Sequence, residues 1–91
     1  MKIHSILWDQ ETVDHIANHA VIPEEVEEVL FNEYDVPVIL RGKENIYLTY
    51  GLTDGGRLLF IVWVSRHRKT RIVTARDMTK KEKRFYRKTK K

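Results

Sequence analysis

A run of seven consecutive apolar residues, Leu58 to Val64, constrains the fold of this chain more than any other feature. A strand that is apolar on both faces usually lies at the centre of a sheet, with other structure packed on each side. The preceding segment, 53–56, reads Thr-Asp-Gly-Gly, and Asp-Gly and Gly-Gly supply the positive φ angles of tight hairpin turns. The sequence therefore predicts a central strand at 58–64, joined by a hairpin to the strand before it.

Helix and strand signals in the rest of the chain indicate the α+β class. Asp9 and a capping box formed by Thr79 and Glu82 mark the starts of two helices, and Pro23 marks a third. Pro37 cannot donate a hydrogen bond to a sheet, so its strand is predicted at an edge. We expect two N-terminal helices packed on an antiparallel sheet of about four strands, followed by a basic helix. The predicted elements are a strand or extended arm at 3–8, helices at 9–19, 23–30 and 79–88, and strands at 35–40, 45–50, 58–64 and 70–75.

Composition further limits the class of protein. The 91 residues contain no cysteine, which excludes disulfide scaffolds, thiolate metal sites and cysteine nucleophiles. At this length one compact domain, residues 1–91, is expected. No apolar run approaches the roughly 20 residues of a membrane-spanning helix, and the N-terminus lacks the pattern of a signal peptide. We therefore expect a cytoplasmic protein that does not associate with membranes.

The charges are strongly segregated along the chain. Residues 66–91 hold 13 of the 17 Lys and Arg residues but only two of the 13 acids, for a formal charge of +11. Residues 1–65 hold the other four cations and eleven acids, for a formal charge of −7. A basic surface attracts phosphate backbones through Coulomb attraction and counterion release. The simplest alternative is a solvated basic tail, but Arg71 and Arg76 flank an apolar strand, so part of the charge belongs to folded structure.

Short motifs that follow one another along most of the chain carry a family resemblance. An Arg-Ile-x-x-Ala-Arg strand at 71–76 precedes a helix that contains Thr79, Glu82, Arg84 and Tyr86. The other segments are Trp8-Asp9, Asp14-His15-Ile16, His19-Ala20-Val21, Pro23 to Leu30, Tyr50-Gly51, Gly56 to Leu59 and Met78. As an ordered set they resemble the BrnT family of bacterial toxins. The resemblance implies a RelE-like fold, ribonuclease activity that arrests translation, and a cognate BrnA-type antitoxin as partner.

Two positions depart from the pattern of that family. Thr12 stands where the family has a Lys in the first helix, and Ala20 stands where it has a Gly after the His. If the second position is left-handed, Ala20 costs roughly 1 kcal/mol relative to glycine. The resemblance is therefore to a divergent member.

RNA cleavage of the kind that the resemblance implies needs orientation and charge stabilisation from the protein. The 2′-hydroxyl of the RNA attacks the adjacent phosphate, and cationic donors stabilise the phosphorane. Arginine suits this role because its fixed fork of donors matches phosphate oxygens and stays charged, so no metal or cofactor is expected. The catalytic candidates are Arg57, Arg71 and Arg76. Arg71 and Arg76 share a sheet face only if a bulge intervenes or Arg76 lies beyond the strand end.

Each candidate also has a structural interpretation. Arg57 could be an exposed hairpin residue, and Arg71 could pair with an acid of the helix at 23–30. Arg76 could pair with a neighbouring carboxylate, although its position at an edge makes phosphate contact easiest. Tyr86, the fourth catalytic candidate, could donate to a phosphate or stack on a base, or it could be a half-buried core tyrosine. The wider RNA-binding surface is predicted to comprise Arg66, Arg68, Lys69, Lys80, Lys83, Arg84 and Arg87.

Three histidines and a glutamate leave further options open. His15 and His19 have the i, i+4 spacing of metal ligands, but two ligands do not make a site, so a structural role is favoured. His67 could act as an acid or base near a phosphate, or it could be a turn residue with no chemical role. Glu44 could act as a base, or it could be a solvated loop acid.

The resemblance and the arginine-rich half of the chain together favour one function. We expect the toxin of a type II toxin–antitoxin pair, an endoribonuclease that needs no metal. The alternative is a nucleic-acid-binding or regulatory module that has the same scaffold without catalysis. A third possibility is a protein that acts mainly as half of a complex, with its basic helix docked on an acidic partner.

Overall fold

The computed structural model describes residue 3 and residues 5–91, and it confirms the α+β class. Within these residues there are three helices and five strands. Part of the extended arm predicted at 3–8 lies outside the described residues. The bounds of the elements are β1 (Ile6–Leu7), α1 (Gln10–Ala17), α2 (Pro23–Leu30), β2 (Val38–Arg41), β3 (Ile46–Leu52), β4 (Leu58–Arg66), β5 (Lys69–Asp77) and α3 (Lys80–Thr89).

The five strands form one sheet in the order β1-β5-β4-β3-β2. The apolar strand β4 is central and β2 lies at an edge, as predicted. β2 begins at Val38, so Pro37 lies just before the strand and not within it as the predicted bounds 35–40 had it. Strands β2 to β5 pair antiparallel, whereas Ile6 and Leu7 of β1 pair in parallel with Thr70 and Arg71. The sheet is therefore mixed and has five strands, rather than the antiparallel sheet of about four strands that the sequence predicts. A two-residue strand is too short for its alternation to signal parallel pairing.

The first two helices cover one face of the sheet. Ile61 and Trp63 of β4 are buried there in one cluster with Ile16 of α1 and Val29 of α2. The Trp63 indole N–H donates a 2.7 Å hydrogen bond to the hydroxyl of Thr49, which is also fully buried. These two buried polar groups are thereby paired. Each large apolar side chain of the core contributes about 1.5–3 kcal/mol to the stability of the fold through burial. We call this side the helix-covered face.

The opposite side of the sheet is covered only in part, and we call it the α3 face. α3 packs over one end of it, where Tyr86 is buried with Phe60 and the ring of Phe85 lies 4.9 Å from that of Tyr50. Toward the hairpin between β4 and β5, the apolar residues of this face are half-buried, namely Ile46, Leu48, Val62 and Val64. The α3 face thus keeps an open area between α3 and that hairpin.

A left-handed residue joins α1 to α2. Ala20 has a φ of +57°, which confirms the conformation considered for this position. α2 follows, and the Glu25 carboxylate accepts a 3.2 Å hydrogen bond from the Ile22 N–H at its start. At the other end of α1, Asp9 accepts a 2.8 Å hydrogen bond from the Thr12 N–H, as an N-cap residue does.

Gly51 of β3 lies against α2 and leaves no room for a side chain. A Cβ atom there would lie 2.6 Å from Val29 Cγ1 and 3.1 Å from Pro37 Cβ. Gly51→Ala is therefore expected to lower the free energy of unfolding by about 1–3 kcal/mol, as overpacking of a filled core does. Urea denaturation measures the change. Gly55→Ala is the control, because in the described part of the chain its Cβ would meet no atom closer than 3.9 Å. Equal stability of the two variants would contradict the prediction.

Candidate nucleic-acid interface

Strand β5 contains a β-bulge at Val73. Val62 of β4 pairs with Thr74, while the next residue, Trp63, pairs with Ile72. Val73 therefore has no opposite residue on β4, and its side chain is exposed. An extra residue shifts the alternation of a strand by one position, so residues an odd number apart across the bulge lie on the same face.

The bulge brings two of the predicted arginines to one face of the sheet. Arg71 lies opposite Val64 before the bulge, and Arg76 lies opposite Phe60 after it. Directly opposite residues of an antiparallel pair lie on the same face, and Phe60 belongs to the α3 face. Both arginines therefore belong to the α3 face. The four-residue spacing from Phe60 to Val64 puts them about 13 Å apart along the sheet.

Arg76 lies at the α3 end of this face, held between a ring and a carboxylate. Its guanidinium carbon is 4.5 Å from the centroid of the Phe60 ring, and Nη1 and Nη2 donate to the carboxylate oxygens of Glu82 at 2.8 and 3.0 Å. Glu82 also accepts from the Thr79 N–H at 2.8 Å, so the predicted capping box is confirmed. The hydrogen bonds from Arg76 are the main cause that lowers the pKa of Glu82, and those to Glu82 raise the pKa of Arg76. Arg76 is thus charged, oriented and 34% exposed.

Arg71 lies at the hairpin end and is much more exposed. Its side chain is 64% exposed, and Nη1 lies 4.0 Å from the Asp9 carboxylate, a surface pair that constrains it little. Arg66 lies two residues beyond Val64 on β4, and its partner Lys69 lies two residues before Arg71 on β5. Both side chains are therefore on the α3 face as well. Arg71 thus belongs to a cluster of predicted RNA-binding cations at this end of the α3 face.

Arg57 lies elsewhere, at the junction of the first two helices with β4 and β5. Nε and Nη2 donate to the Asp77 carboxylate at 2.7 and 3.2 Å, and Nη1 donates to Glu25 at 3.1 Å. The carbonyls of His19 and Ala20 accept from Nη2 at 3.1 Å and from Nη1 at 2.6 Å. The hydrogen bonds from Arg57 lower the pKa of Asp77. All three guanidinium nitrogens are therefore engaged in fastening the left-handed turn to the sheet.

Tyr86 forms part of the core beneath α3. Its side chain is 5% exposed, and its hydroxyl has no hydrogen-bond partner among the described residues. Burial is the main cause that raises the pKa of Tyr86, followed by the charge of Asp35. The ring therefore anchors α3 to the sheet, with the hydroxyl directed into the protein rather than into solvent.

Three of the four predicted RNA-binding residues of α3 lie on its outer surface. Lys80, Arg84 and Arg87 are exposed, whereas Lys83 is half-buried. Phe85, on the same helix, adds a ring that is 37% exposed. Phe85 is not among the RNA-binding residues predicted from the sequence, because helical spacing does not reveal how far a ring protrudes from the core.

Two turns that contain left-handed residues meet at the hairpin end. His67 and Arg68, which connect β4 to β5, have φ angles of +51° and +64°, and Glu44 and Asn45, just before β3, have +55° and +63°. The Ser65 N–H donates a 3.1 Å hydrogen bond to the Asn45 carbonyl and thereby joins the two turns. The sequence indicates Glu44 and His67 only as separate candidates, because the meeting of the two turns depends on strand register. An open cleft there is lined by Glu44, Asn45, Arg66 and His67.

The two histidines of the first helical segment contact one another. The rings of His15 and His19 meet edge to face with centroids 5.6 Å apart, and His15 Nε2 shares a 3.1 Å hydrogen bond with Thr74 Oγ1. Among residues 3 and 5–91, no three ligand side chains group in a metal-binding arrangement. The contact with Thr74 ties α1 to β5, in line with the structural interpretation.

The sequence matches, over residues 8–82, a family described as the ribonuclease toxin BrnT of type II toxin–antitoxin systems. The match covers most of the chain, from the end of the N-terminal arm to the first turn of α3. The chain belongs to the BrnT family. The resemblance is thereby confirmed, and membership implies a toxin with ribonuclease activity, an RNA substrate and an antitoxin partner. No match was found among curated proteins. In the described part of this BrnT family member, every helix is too short or too polar to cross a membrane.

Arg57 offers a test of how the helices of this BrnT family member are fastened to its sheet. Arg57→Lys keeps the charge but cannot reach two carboxylates and two carbonyls at once. We expect the free energy of unfolding to fall by about 1–3 kcal/mol, the range for losing hydrogen bonds to charged groups. Urea denaturation measures the change. The control is Arg41→Lys, since among the described residues the Arg41 side chain makes only a distant ring contact, 5.9 Å from the centroid of Tyr47. A loss of equal size in the control would argue against the assigned role.

Tyr86 offers a second test, of structure against catalysis in this BrnT family member. Tyr86→Phe removes a buried hydroxyl that has no partner among the described residues. Stability should therefore stay the same or rise by about 1 kcal/mol, and the rate of RNA cleavage should not change. Denaturation and cleavage assays are compared with those of Tyr34→Phe, because Tyr34 is fully exposed. A large loss of cleavage at unchanged stability would mean that the Tyr86 hydroxyl reaches RNA.

Proposed function

We propose that this BrnT family toxin is a metal-independent endoribonuclease that binds RNA across the α3 face. The observation that carries the proposal is the shared face of Arg71 and Arg76, which bounds a half-exposed apolar area of the sheet. Cations at both ends of this area attract the phosphate backbone, and the α3 cations extend the attraction beyond the sheet. Phe85 offers an exposed ring on which a base stacks.

In the proposed mechanism, the RNA supplies its own nucleophile. The 2′ oxygen attacks the adjacent phosphorus, charge builds on the phosphorane oxygens, and the 5′ oxygen leaves. Arg71, with its exposed guanidinium, binds the scissile phosphate and stabilises that charge. Arg76, about 13 Å away, holds a neighbouring phosphate of the same strand and fixes the register.

Two residues predicted as catalytic take other roles in this proposal. The donors of Arg57 are engaged by Asp77, Glu25 and two carbonyls, so Arg57 acts by holding the helices on the sheet. Tyr86 is buried and acts by docking α3. Both residues therefore support the binding face without touching the RNA.

The fold and the partner of the toxin belong to the same proposal. Two helices on one face of an antiparallel meander, with a basic helix on the other face, support a RelE-like assignment. A BrnA-type antitoxin would neutralise the toxin by covering the cations of the α3 face. We place this interaction in the cytoplasm, where the RNA substrate is found.

RNA cleavage in the presence of a chelator tests the proposal. Wild-type protein is expected to release cleaved RNA that ends in a 2′,3′-cyclic phosphate. Arg71→Ala should lower the turnover rate by about 100-fold, the usual effect of removing one donor to a developing oxyanion. Arg76→Ala should mainly weaken RNA binding, by roughly tenfold for one charged hydrogen bond. Arg76→Lys, which keeps a cation beside Glu82, shows whether any loss comes from unfolding of α3.

The control for both arginines is Arg41→Ala. The Arg41 side chain contacts Tyr47, which belongs to the core on the helix-covered face. The substitution therefore removes the same charge from a position that is not on the α3 face. Equal effects of Arg41→Ala and Arg71→Ala would contradict a localised site. RNA binding that weakens steeply with salt but yields no product in any condition would instead support the non-catalytic alternative.

A further inference from the structure

The hairpin end of the α3 face combines a carboxylate, an imidazole and a guanidinium in one open cleft. Glu44 comes from the turn before β3, and Arg66 and His67 come from the end of β4 and its turn. The hydrogen bond from Ser65 to Asn45 holds the two turns together, so the cleft is built by the backbone. Three side chains of unlike chemistry therefore meet at one end of the sheet.

These three side chains are available to a ligand. Among residues 3 and 5–91, Glu44, Arg66 and His67 take part in no hydrogen bond or ion pair of their side chains. Arg57 and Arg76 differ from them, since each is held by carboxylates of the chain. The cleft at the hairpin thus contains acid–base groups and a phosphate-binding group that the fold itself does not use.

The residue types in the turn also point to function. A two-residue hairpin connection with two positive φ angles is normally Asn-Gly or Asp-Gly, whereas this chain has His67 and Arg68 there. Glu44 adopts the left-handed conformation as well. Side chains that are poorly suited to their backbone conformation are concentrated at functional sites, where the chemistry of the side chain outweighs the strain.

We infer that Glu44 is the general base and His67 the general acid of RNA cleavage, with Arg66 binding the scissile phosphate beside Arg71. The inference rests on the proposed function and adds its proton-transfer groups. Glu44 takes the proton of the 2′-hydroxyl as the bond from the 2′ oxygen to phosphorus forms. The bond from phosphorus to the 5′ oxygen breaks, and His67 gives its proton to that oxygen. The products are a 2′,3′-cyclic phosphate and a 5′-hydroxyl, and no electron donor or acceptor is required.

The test uses the full chain, single-turnover cleavage in chelator, and two variants that add no strain to the backbone. His67→Asn should fold well, because asparagine favours the left-handed region, and Glu44→Gln keeps the shape of the side chain. Each should cleave RNA about 100-fold more slowly than wild type, within the range for loss of a general acid or base. The matched controls are His19→Asn and Glu33→Gln, which change the same residue types away from the cleft and should cleave at the wild-type rate.

A substrate with sulfur in place of the 5′ bridging oxygen separates the two roles. A thiolate leaves without protonation, so His67→Asn should cleave this substrate at nearly the wild-type rate. Glu44→Gln should remain slow, since the 2′-hydroxyl still needs a base. Binding of RNA that carries 2′-O-methyl groups should be within twofold of wild type for both variants.

The outcomes distinguish this inference from the proposed function. Wild-type cleavage with full activity in both variants would overturn the inference and leave the proposed function standing. Failure of the sulfur substrate to rescue His67→Asn would overturn the assignment of the acid. Absence of cleavage by the wild-type protein would overturn the proposed function, and the inference with it.

Discussion

The extra residue of β5, Val73, determines which side chains share a surface of this protein. Without it, the alternation of the strand would send Arg71 and Arg76 to opposite faces of the sheet. The bulge restores them to one face while Ile72 and Ala75, on either side of it, both remain in the core under the helices. One inserted residue therefore satisfies two requirements together, a continuous core on the helix-covered face and a line of cations on the α3 face.

The charged groups of the chain divide into those that build the fold and those left for a partner. Arg57 and Arg76 differ in how many partners their guanidinium groups have within the protein. Arg57 is surrounded by two carboxylates and two carbonyls, whereas the partners of Arg76 among the described residues are one carboxylate, one carbonyl and a ring. Arg71 and the hairpin cations have still fewer partners. On the sheet itself, the arginines of the α3 face thus become more available from Arg76, beside α3, to Arg71 at the hairpin end, where the cleft lies.

Local patterns in the sequence predicted much of the fold. The apolar run of β4, the edge position after Pro37 and the capping box of α3 each depend on residues close in sequence, and each was confirmed. The parallel pairing of β1, the bulge at Val73 and the meeting of the two turns depend on register between distant segments, which periodicity does not encode. For the same reason the sequence shows where the cations are concentrated but could not separate the engaged Arg57 from the exposed Arg71.

The most direct test of the account is to observe the arginine side chains while RNA binds. Nuclear magnetic resonance of the Nε–H groups, with RNA protected from cleavage by 2′-O-methyl groups, reports on each guanidinium separately. RNA bound across the α3 face should shift the signals of Arg66, Arg71 and Arg76 and leave those of Arg57 and Arg41 unchanged. Shifts of Arg57 or Arg41 with none at Arg71 would place the RNA on another surface and would contradict binding across the α3 face.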